Sequence, residues 1–501
     1  MSKMRYRVFE MIPGVLSWGT IAAVVLASWR IPAAAAIFII LFDIYWLFKT
    51  IYLSLHLRVA FRDMRRNMKI DWLARLREKH AGAYEPIYHL VIFPMAGESY
   101  LVMRESFGAL AAVNYPTDRL IVVLAREERI VESAETAEKI KNEFGDKFFR
   151  FVVSTHPDGL PGEIRGKGSN EAWAARRVKE EVIDPALIRY EDIIVSVFDA
   201  DTQVAPEYFG LLTHTFLTAP HPQRSSYQPI PMFTNNIYQA PALARVIAFS
   251  CSFWHMIQQS RPERLTTFSS HAMPFKALVE VGFWRTNIVN EDSHIFWQCL
   301  LHYDGDWRAV PMAYPVPMDA NVAPRFWATM GNLYRQQRRW AWGGCENIPY
   351  FLQGFRNNKR ISLGTKLYWS FHYIEGAHAW ATNALIIFSL GWLPLFLGDA
   401  QFQLSVLSYN LPRITRAIMN FSMVGVASSA VLAMILLPPK PAWFRPRHYL
   451  LYLIQWLLMP VQLIFFASFP ALDAYTRGIL GGKWRLGFWI TPKYRAKPLL
   501  K

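Results

Sequence analysis

The chain has 501 residues, too many for one ordinary domain, and a formal net charge of +16. It is 52% hydrophobic and only 18% charged, with a mean hydropathy of +0.11, which is apolar for a soluble protein of this size. No zinc-finger spacing or basic-zipper pattern accompanies the charge, which argues against nucleic acid as a partner and for membrane lipids.

The apolar residues are unevenly placed. Met11–Trp29 and Ala34–Leu53 are each long enough to cross a hydrocarbon core as a helix. A cleaved signal peptide would explain the first run alone, with Lys3, Arg5 and Arg7 before it. A hairpin of two anchors explains both runs and is preferred, giving a transmembrane unit over residues 1–54. Leu55–His80 carries Arg58, Arg62, Arg65, Arg66, Lys69, Arg75, Arg77 and Lys79. Its apolar spacing suits either a helix lying on anionic headgroups or a solvated basic helix leaving the membrane. The positive-inside tendency then puts residues 55–80, and the domain that follows, in the cytoplasm of a multi-pass cell-membrane protein.

Residues 81–344 have globular texture. His89–Pro94, Leu120–Leu124, Phe151–Ser154 and Ile193–Phe198 read as short buried strands. Helices are expected between them, through Leu110, over Ala125–Phe144 and over Asn170–Glu181. This alternation predicts an α/β domain with a doubly wound, mostly parallel sheet, and ligands bind beyond the carboxyl ends of such strands. Glu98, Glu127, Glu128, Asp199 and Asp201 would share that edge.

Four stretches carry chemistry. Asp199-Ala200-Asp201, at a strand end, can bring two carboxylates to one Mg2+ or Mn2+ ion on a diphosphate; isolated pairs of this kind are also common on surfaces. Lys167-Gly168-Ser169-Asn170 opens a helix, either as a phosphate-binding loop or as a solvated turn with a cap. Glu291-Asp292 precedes the helical run Ser293–Tyr303, where Asp292 is either a general base or a helix cap. Tyr334–Trp342 places Gln336, Arg339 and Trp340 within about one helical turn. There they would stabilise a leaving diphosphate and stack on a sugar, or else sit at the membrane boundary.

The C-terminal third holds three further apolar runs, Ala377–Leu397, Ile418–Leu437 and Tyr449–Phe469. Residues 345–376 read as an interfacial helix and linker, and 377–501 as a block of about three spans with a basic tail. Two plus three spans would place Gly482–Lys501 outside, although Lys483, Arg485, Lys493, Arg495, Lys497 and Lys501 make it basic. One run must therefore be interfacial or fold back, with Pro460 and Pro470 as the breaks. Cys251, Cys299 and Cys345 form no paired motif, as expected in a reducing compartment.

A strand-end DxD, a later ED and then QxxRW before membrane helices is an order that resembles the family-2 membrane glycosyltransferases. The processive branch, which includes the cellulose, hyaluronan, chitin and poly-N-acetylglucosamine synthases, is the most similar. Pro94 with Glu98, Lys167 with Asn170, Gln228-Pro229, Val281-Gly282-Phe283 and Thr491-Pro492-Lys493 match further family segments. Phe268-Ser269-Ser270-His271 stands where an acceptor-side motif is usual, which points to Phe268 and Ser270. The resemblance implies a GT-A-like fold and inverting transfer from a nucleotide sugar, most simply a UDP-sugar, to a glycan or lipid-linked acceptor. In it Asp199 and Asp201 hold the metal, and Asp292 beside Glu291 is the base. Glu98, Glu127, Glu128, Lys167, Asn170, Asp199, Gln336 and Arg339 face the donor, and Trp340, Phe268 and Ser270 the acceptor. One departure stands out. The family's second strand normally ends in an aspartate that holds the nucleotide, whereas Ile121–Arg129 reads IVVLAREER, with Glu127 or Glu128 as the nearest substitutes. Single-sugar transfer to a polyprenyl phosphate or other lipid is the alternative. A non-catalytic transporter or scaffold, suggested by Asp43, Glu375 and His378 near membrane segments, is a second.

Overall fold

A computed structural model describes residues 3–495; Lys497 and Lys501 of the basic tail lie outside the described residues. Helix α1 (Lys3–Arg30) ends where α2 (Pro32–Asn67) begins, since Pro32 can start a helix but cannot continue one. Thirty-six residues make α2 about 54 Å long, more than the hydrocarbon layer needs. Its basic end is therefore the same helix continuing past the apolar stretch. The rest of Leu55–His80 is a separate helix, α3 (Trp72–Lys79), capped by the Asp71 carboxylate on the Ala74 N–H.

The central region then runs β1 (Tyr88–Met95), α4 (Tyr100–Ala111), β2 (Leu120–Glu127), α5 (Glu132–Phe144), β3 (Arg150–His156), α6 (Lys167–Val178), β4 (Ile193–Val197) and α7 (Tyr208–Thr218). It continues through β5 (Ser225–Phe233), α8 (Ala242–Gln259), β6 (Ala272–Pro274), α9 (Phe275–Glu280), α10 (Glu291–His302) and β7 (Arg308–Met318). The seven strands form one sheet in the order β3-β2-β1-β4-β6-β5-β7. The pairs β1–β2, β2–β3, β1–β4 and β5–β7 are parallel, and only the short β6 runs antiparallel to its neighbours.

The four expected strands are present because their apolar runs are buried on both faces. Leu90, Ile92, Ile121 and Val123 face one core with α6 and α10, and Val91, Phe93, Val122 and Leu124 face another with α4 and α7. Two boundaries differ from expectation. Ala125–Glu127 belongs to β2, not to a helix, because each residue is paired with β3 out to Glu127 against His156. β5 and β7 are strands despite their prolines, which β7 tolerates as an edge strand and β5 as a bulge between Gln228 and Ile230.

Beyond the sheet, α11 (Phe326–Asn357) is a single helix that runs into the stretch expected to be an interfacial helix and linker. It is followed by α12 (Leu363–Phe388), α13 (Leu393–Leu397), α14 (Ala400–Gln403), α15 (Val406–Ile435), α16 (Pro446–Ile454), α17 (Met459–Leu463) and α18 (Phe469–Leu480). Among the described residues, four helical segments are long and apolar enough to cross a membrane, or five if Leu363–Phe388 and Leu390–Leu397, bent by 45°, count as one span. The last of them, Pro446–Leu480, is broken at the expected prolines. Within it, Gln455 accepts from Arg245 on α8 at 2.8 Å, and Asp473 accepts from Arg338 on α11 at 2.8 Å. The tail from Gly482 returns to the sheet, where Lys493 meets Asp201 and Arg495 meets Asp319.

Helix α3 docks on α7 through Trp72, Leu73 and Leu76, at a point where only a glycine fits. A Cβ on Gly210 would lie 2.9 Å from Trp72 Cβ and 3.1 Å from the Leu73 nitrogen. Gly210→Val should destabilise the protein by about 1–3 kcal/mol through overpacking. Gly108→Ala, on α4 where nothing lies within 4 Å, should instead stabilise it by about 0.5–1 kcal/mol. Thermal unfolding of the detergent-solubilised chain checks both. Equal melting temperatures for Gly210→Val and the parent would refute the close α3–α7 contact.

Candidate active site

At the carboxyl end of β4 the backbone turns through Asp199-Ala200-Asp201. Asp201 is wholly buried. One of its oxygens accepts from the Asp319 N–H at 2.8 Å and from Lys493 Nζ at 2.7 Å, while Oδ1 is buried without a donor. Asp199 accepts from Lys167 Nζ at 2.8 Å and from Ser269 Oγ at 3.0 Å. Burial alone would raise the Asp199 pKa, but Lys167 and Lys493 hold it well below the usual carboxylate range. Among the described residues no three acidic, histidine or cysteine side chains form a ready-made metal cage. Two carboxylates, one with an orphan oxygen, fit the pattern in which phosphate oxygens complete a Mg2+ or Mn2+ shell.

Lys167 ties this pair to the second acidic motif. Its ammonium lies 3.8 Å from Glu291 as well as 2.8 Å from Asp199. Burial would lower the Lys167 pKa, but Asp199, Glu171 and Glu291 raise it above the ordinary lysine range. The first turns of α6 and α10 meet so closely that a Cβ on Gly168 would stand 3.0 Å from Glu291 Cβ. Glu291 is buried, and loss of solvent, reinforced by Asp292, pushes its carboxyl up to about 7. Asp292 is half-buried; its carboxylate accepts from the Ser293 N–H at 2.7 Å and its carbonyl from Thr267 Oγ at 2.7 Å.

Sequence reasoning missed several groups here. Glu171, one residue past the K-x-x-N segment, is buried with both oxygens unpartnered, and burial and then Glu291 push its carboxyl well above the normal range. Glu346 on α11 accepts from the Val289 N–H at 2.8 Å, and from the Asn290 N–H and side-chain amide at 3.0 Å each. It thereby fixes the turn that presents Glu291 and Asp292. Asp319, at the end of β7, is buried beside Asp201 and gripped by both sides of the Arg495 guanidinium. No motif marks it, because the proline-rich run before it conceals a strand.

The basic aromatic cluster lies on the same cleft. The Arg339 guanidinium sits 5.1 Å above the Phe488 ring, and its Nε is buried without an acceptor. Gln336 accepts from Asn321 at 3.3 Å, and Trp340 packs with Phe233, ring centres 6.1 Å apart. Of the acceptor-side loop, Phe268 stacks edge-on with Trp254 and His255. Ser270 is fully buried, and the hydroxyl that reaches the acidic pair is that of Ser269.

The tail crosses this cleft as a strap. Arg485 pairs with the buried Glu10 of α1 at 2.6 Å. Phe488 lies against Gly166, where a Cβ would come within 2.4 Å of the ring. Lys493 then reaches Asp201, and Arg495 reaches Asp319 and Glu105.

The remaining residues expected on the donor side divide. Glu98, at the turn after β1, accepts from the Ala96 N–H at 2.7 Å, and burial raises its carboxyl. Glu127 lines a cavity between the ends of β2 and β3, whereas Glu128 accepts from the Asp158 N–H at 3.1 Å. Asn170 is committed to structure, since its amide donates to the Ala125 carbonyl at 2.7 Å.

No curated protein matches the chain significantly in sequence. Among solved structures, it is similar to the mannosyltransferase PcManGT from Pyrobaculum calidifontis, in complex with GDP-Man and Mn2+. The alignment has 14% identity, covers 88% of this chain and 99% of that one, and has a TM-score of 0.43. It is also similar to S. aureus TarS 1-349 in complex with UDP-GlcNAc, at 14% identity over 68% of this chain and 90% of that one, with a TM-score of 0.32. A family model, glycosyl transferase family group 2, matches residues 194–469. That match spans more than half of the chain, including the acidic motifs, the α11 cluster and most of the C-terminal helices, so the chain belongs to glycosyl transferase family group 2 and is a glycosyltransferase.

Proposed function

We propose that the protein transfers a sugar with inversion from a nucleotide-sugar donor to an acceptor hydroxyl at the cytoplasmic face of the cell membrane, extending a polysaccharide. The observation that carries this reading is the Lys167 ammonium shared between Asp199 and Glu291. It brings the DxD and ED motifs, 90 residues apart in sequence, into one cleft with Arg339.

In this reading Asp292 takes the proton from the acceptor hydroxyl as its oxygen attacks the anomeric carbon, and the bond to the diphosphate breaks on the opposite face. Lys167, Lys493 and Arg339 turn from protein partners toward the charge that develops on the leaving diphosphate. A Mg2+ or Mn2+ ion held by Asp199 and Asp201 would neutralise part of that charge. Glu98 and Gln336 frame the donor, and Trp340 and Phe268 line the acceptor side. Single transfer to a polyprenyl phosphate or other lipid is the second reading. It is favoured by the small number of helical segments, four or five among the described residues, that are long and apolar enough to cross a membrane and so to enclose a polymer path.

Incubation of the lipid-embedded chain with labelled nucleotide sugars and manganese or magnesium tests the reading, with the product then sized. A long polymer supports the synthase and a single-sugar lipid the alternative. Asp292→Asn should lower transfer by about 10²–10⁴-fold, and unchanged transfer in that variant would refute the assigned base. Gly168→Val should force α6 from Glu291, lower the melting temperature through overpacking, and reduce the turnover of the folded fraction by about 100-fold. Full activity in Gly168→Val would show that the spacing of Lys167 and Glu291 is immaterial.

A further inference from the structure

The cleft between the carboxyl ends of β2 and β3 is a cavity of about 250 Å³, and its walls are charged. Glu127, the last residue of β2, is 4% exposed. One of its oxygens accepts from Arg129 Nε at 2.6 Å, and the other has no donor among the described residues. Across the cleft Glu163 contacts His156 Nε2 through one oxygen at 2.8 Å, and its second oxygen is likewise unused. His156 is the register partner of Glu127 and rests edge-on against Trp173. Arg129 and His156 already compensate one oxygen of each glutamate, which leaves the second oxygens as free acceptors in the lining of the cavity, so it can receive N–H groups beside an acceptor for Arg129.

Its position suits the base of the donor. The strand order runs β3-β2-β1-β4. The step from the β2/β3 cleft to the acidic pair after β4 is therefore about 12 Å at the usual strand spacing, the reach of a ribose and two phosphates. Glu98 lies between, after β1.

The bases differ in what they offer such a wall. Guanine presents two donors side by side, the ring N1–H and the 2-amino group, next to the O6 and N7 acceptors that guanidinium groups recognise. Two parallel N–H groups on one carboxylate make a bidentate, charge-assisted pair. Uracil has one N–H between two carbonyls, so a carbonyl would face the second carboxylate oxygen. Adenine and cytosine place a ring acceptor next to their amino group and meet the same repulsion.

Resting on the nucleotide-sugar reading above, we propose that this cavity is a guanine pocket in which Glu127 accepts from the base, Arg129 donates to O6 and Glu163 takes the outer amino hydrogen. The donor is then a guanosine diphosphate sugar, not the uridine donor that the family resemblance implies. The glutamate at the end of β2 replaces the usual aspartate because it reads a different base.

Competition binding on the full chain in lipid nanodiscs tests this, with GDP, UDP, ADP and CDP titrated in turn in the presence of Mn2+. GDP should bind at least about tenfold more tightly than the other three. Glu127→Gln, which replaces one acceptor by a donor, should erase that preference and leave binding of inorganic pyrophosphate with Mn2+ unchanged. Pyrophosphate binding also reports that the variant is folded. Glu163→Gln, at the more open wall, should narrow the preference in the same direction. UDP binding as tightly as GDP, or equal losses for both nucleotides in Glu127→Gln, would overturn the guanine assignment and leave the transferase reading intact. Failure of all four nucleotides to bind would overturn both.

Discussion

Everything at the carboxyl edge of the sheet depends on a balance of buried charge. Asp201, Asp319, Glu171 and Glu291 converge there with little access to water, beside the half-buried Asp199. Burial of one such group without compensation would cost several kcal/mol. Lys167 from α6 and Lys493 and Arg495 from the tail supply the compensation, while Glu171 and Glu291 relieve the remaining repulsion by holding protons more readily than isolated carboxyls. The architecture follows from this need. α6 must press against α10 to share Lys167, which is why Gly168 stands at their contact. The tail must return to the sheet from the far end of the chain to bring Lys493 to Asp201 and Arg495 to Asp319.

The same balance connects parts of the molecule that sequence keeps apart. Glu346, on the helix that carries Gln336, Arg339 and Trp340, grips the turn before Glu291 and Asp292. A shift of α11 therefore moves the proposed base together with the cations proposed to meet the leaving group. α11 is in turn packed on α1 and α18, so the membrane-proximal helices hold the cleft's geometry. Lys493 has a compact charge that can leave Asp201 for a phosphate while Arg495, two residues on, keeps the tail on Asp319 and Glu105.

Much of this was legible in the sequence, for identifiable reasons. Long two-faced apolar runs announced β1, β2 and β4, and the strand-end position gave Asp199 and Asp201 their meaning. The spacing of Gln336, Arg339 and Trp340 on a helix was plain. Proline hid β5 and β7, and with them Asp319, since strand patterns are read from uninterrupted apolar alternation. Glu171 and Glu346 carry no local signal, because their roles come from contacts with residues far off in sequence. Ser269 and Ser270 are adjacent, and only the positive φ of Ser270 (66°) decides which hydroxyl reaches Asp199. The basic character of the tail was plain, but only the fold places Lys493 on Asp201.

The central claim is that the edge carrying Asp199 and Asp201 is where a donor diphosphate and its cation bind, displacing the tail lysine. A cryo-EM map of the full chain in nanodiscs with Mn2+ and a non-hydrolysable donor analogue would test it most directly. The account predicts density for the cation and diphosphate against both aspartates, with Lys493 moved from Asp201 to a phosphate oxygen. Ligand density elsewhere, with the Lys493–Asp201 pair intact, would contradict it.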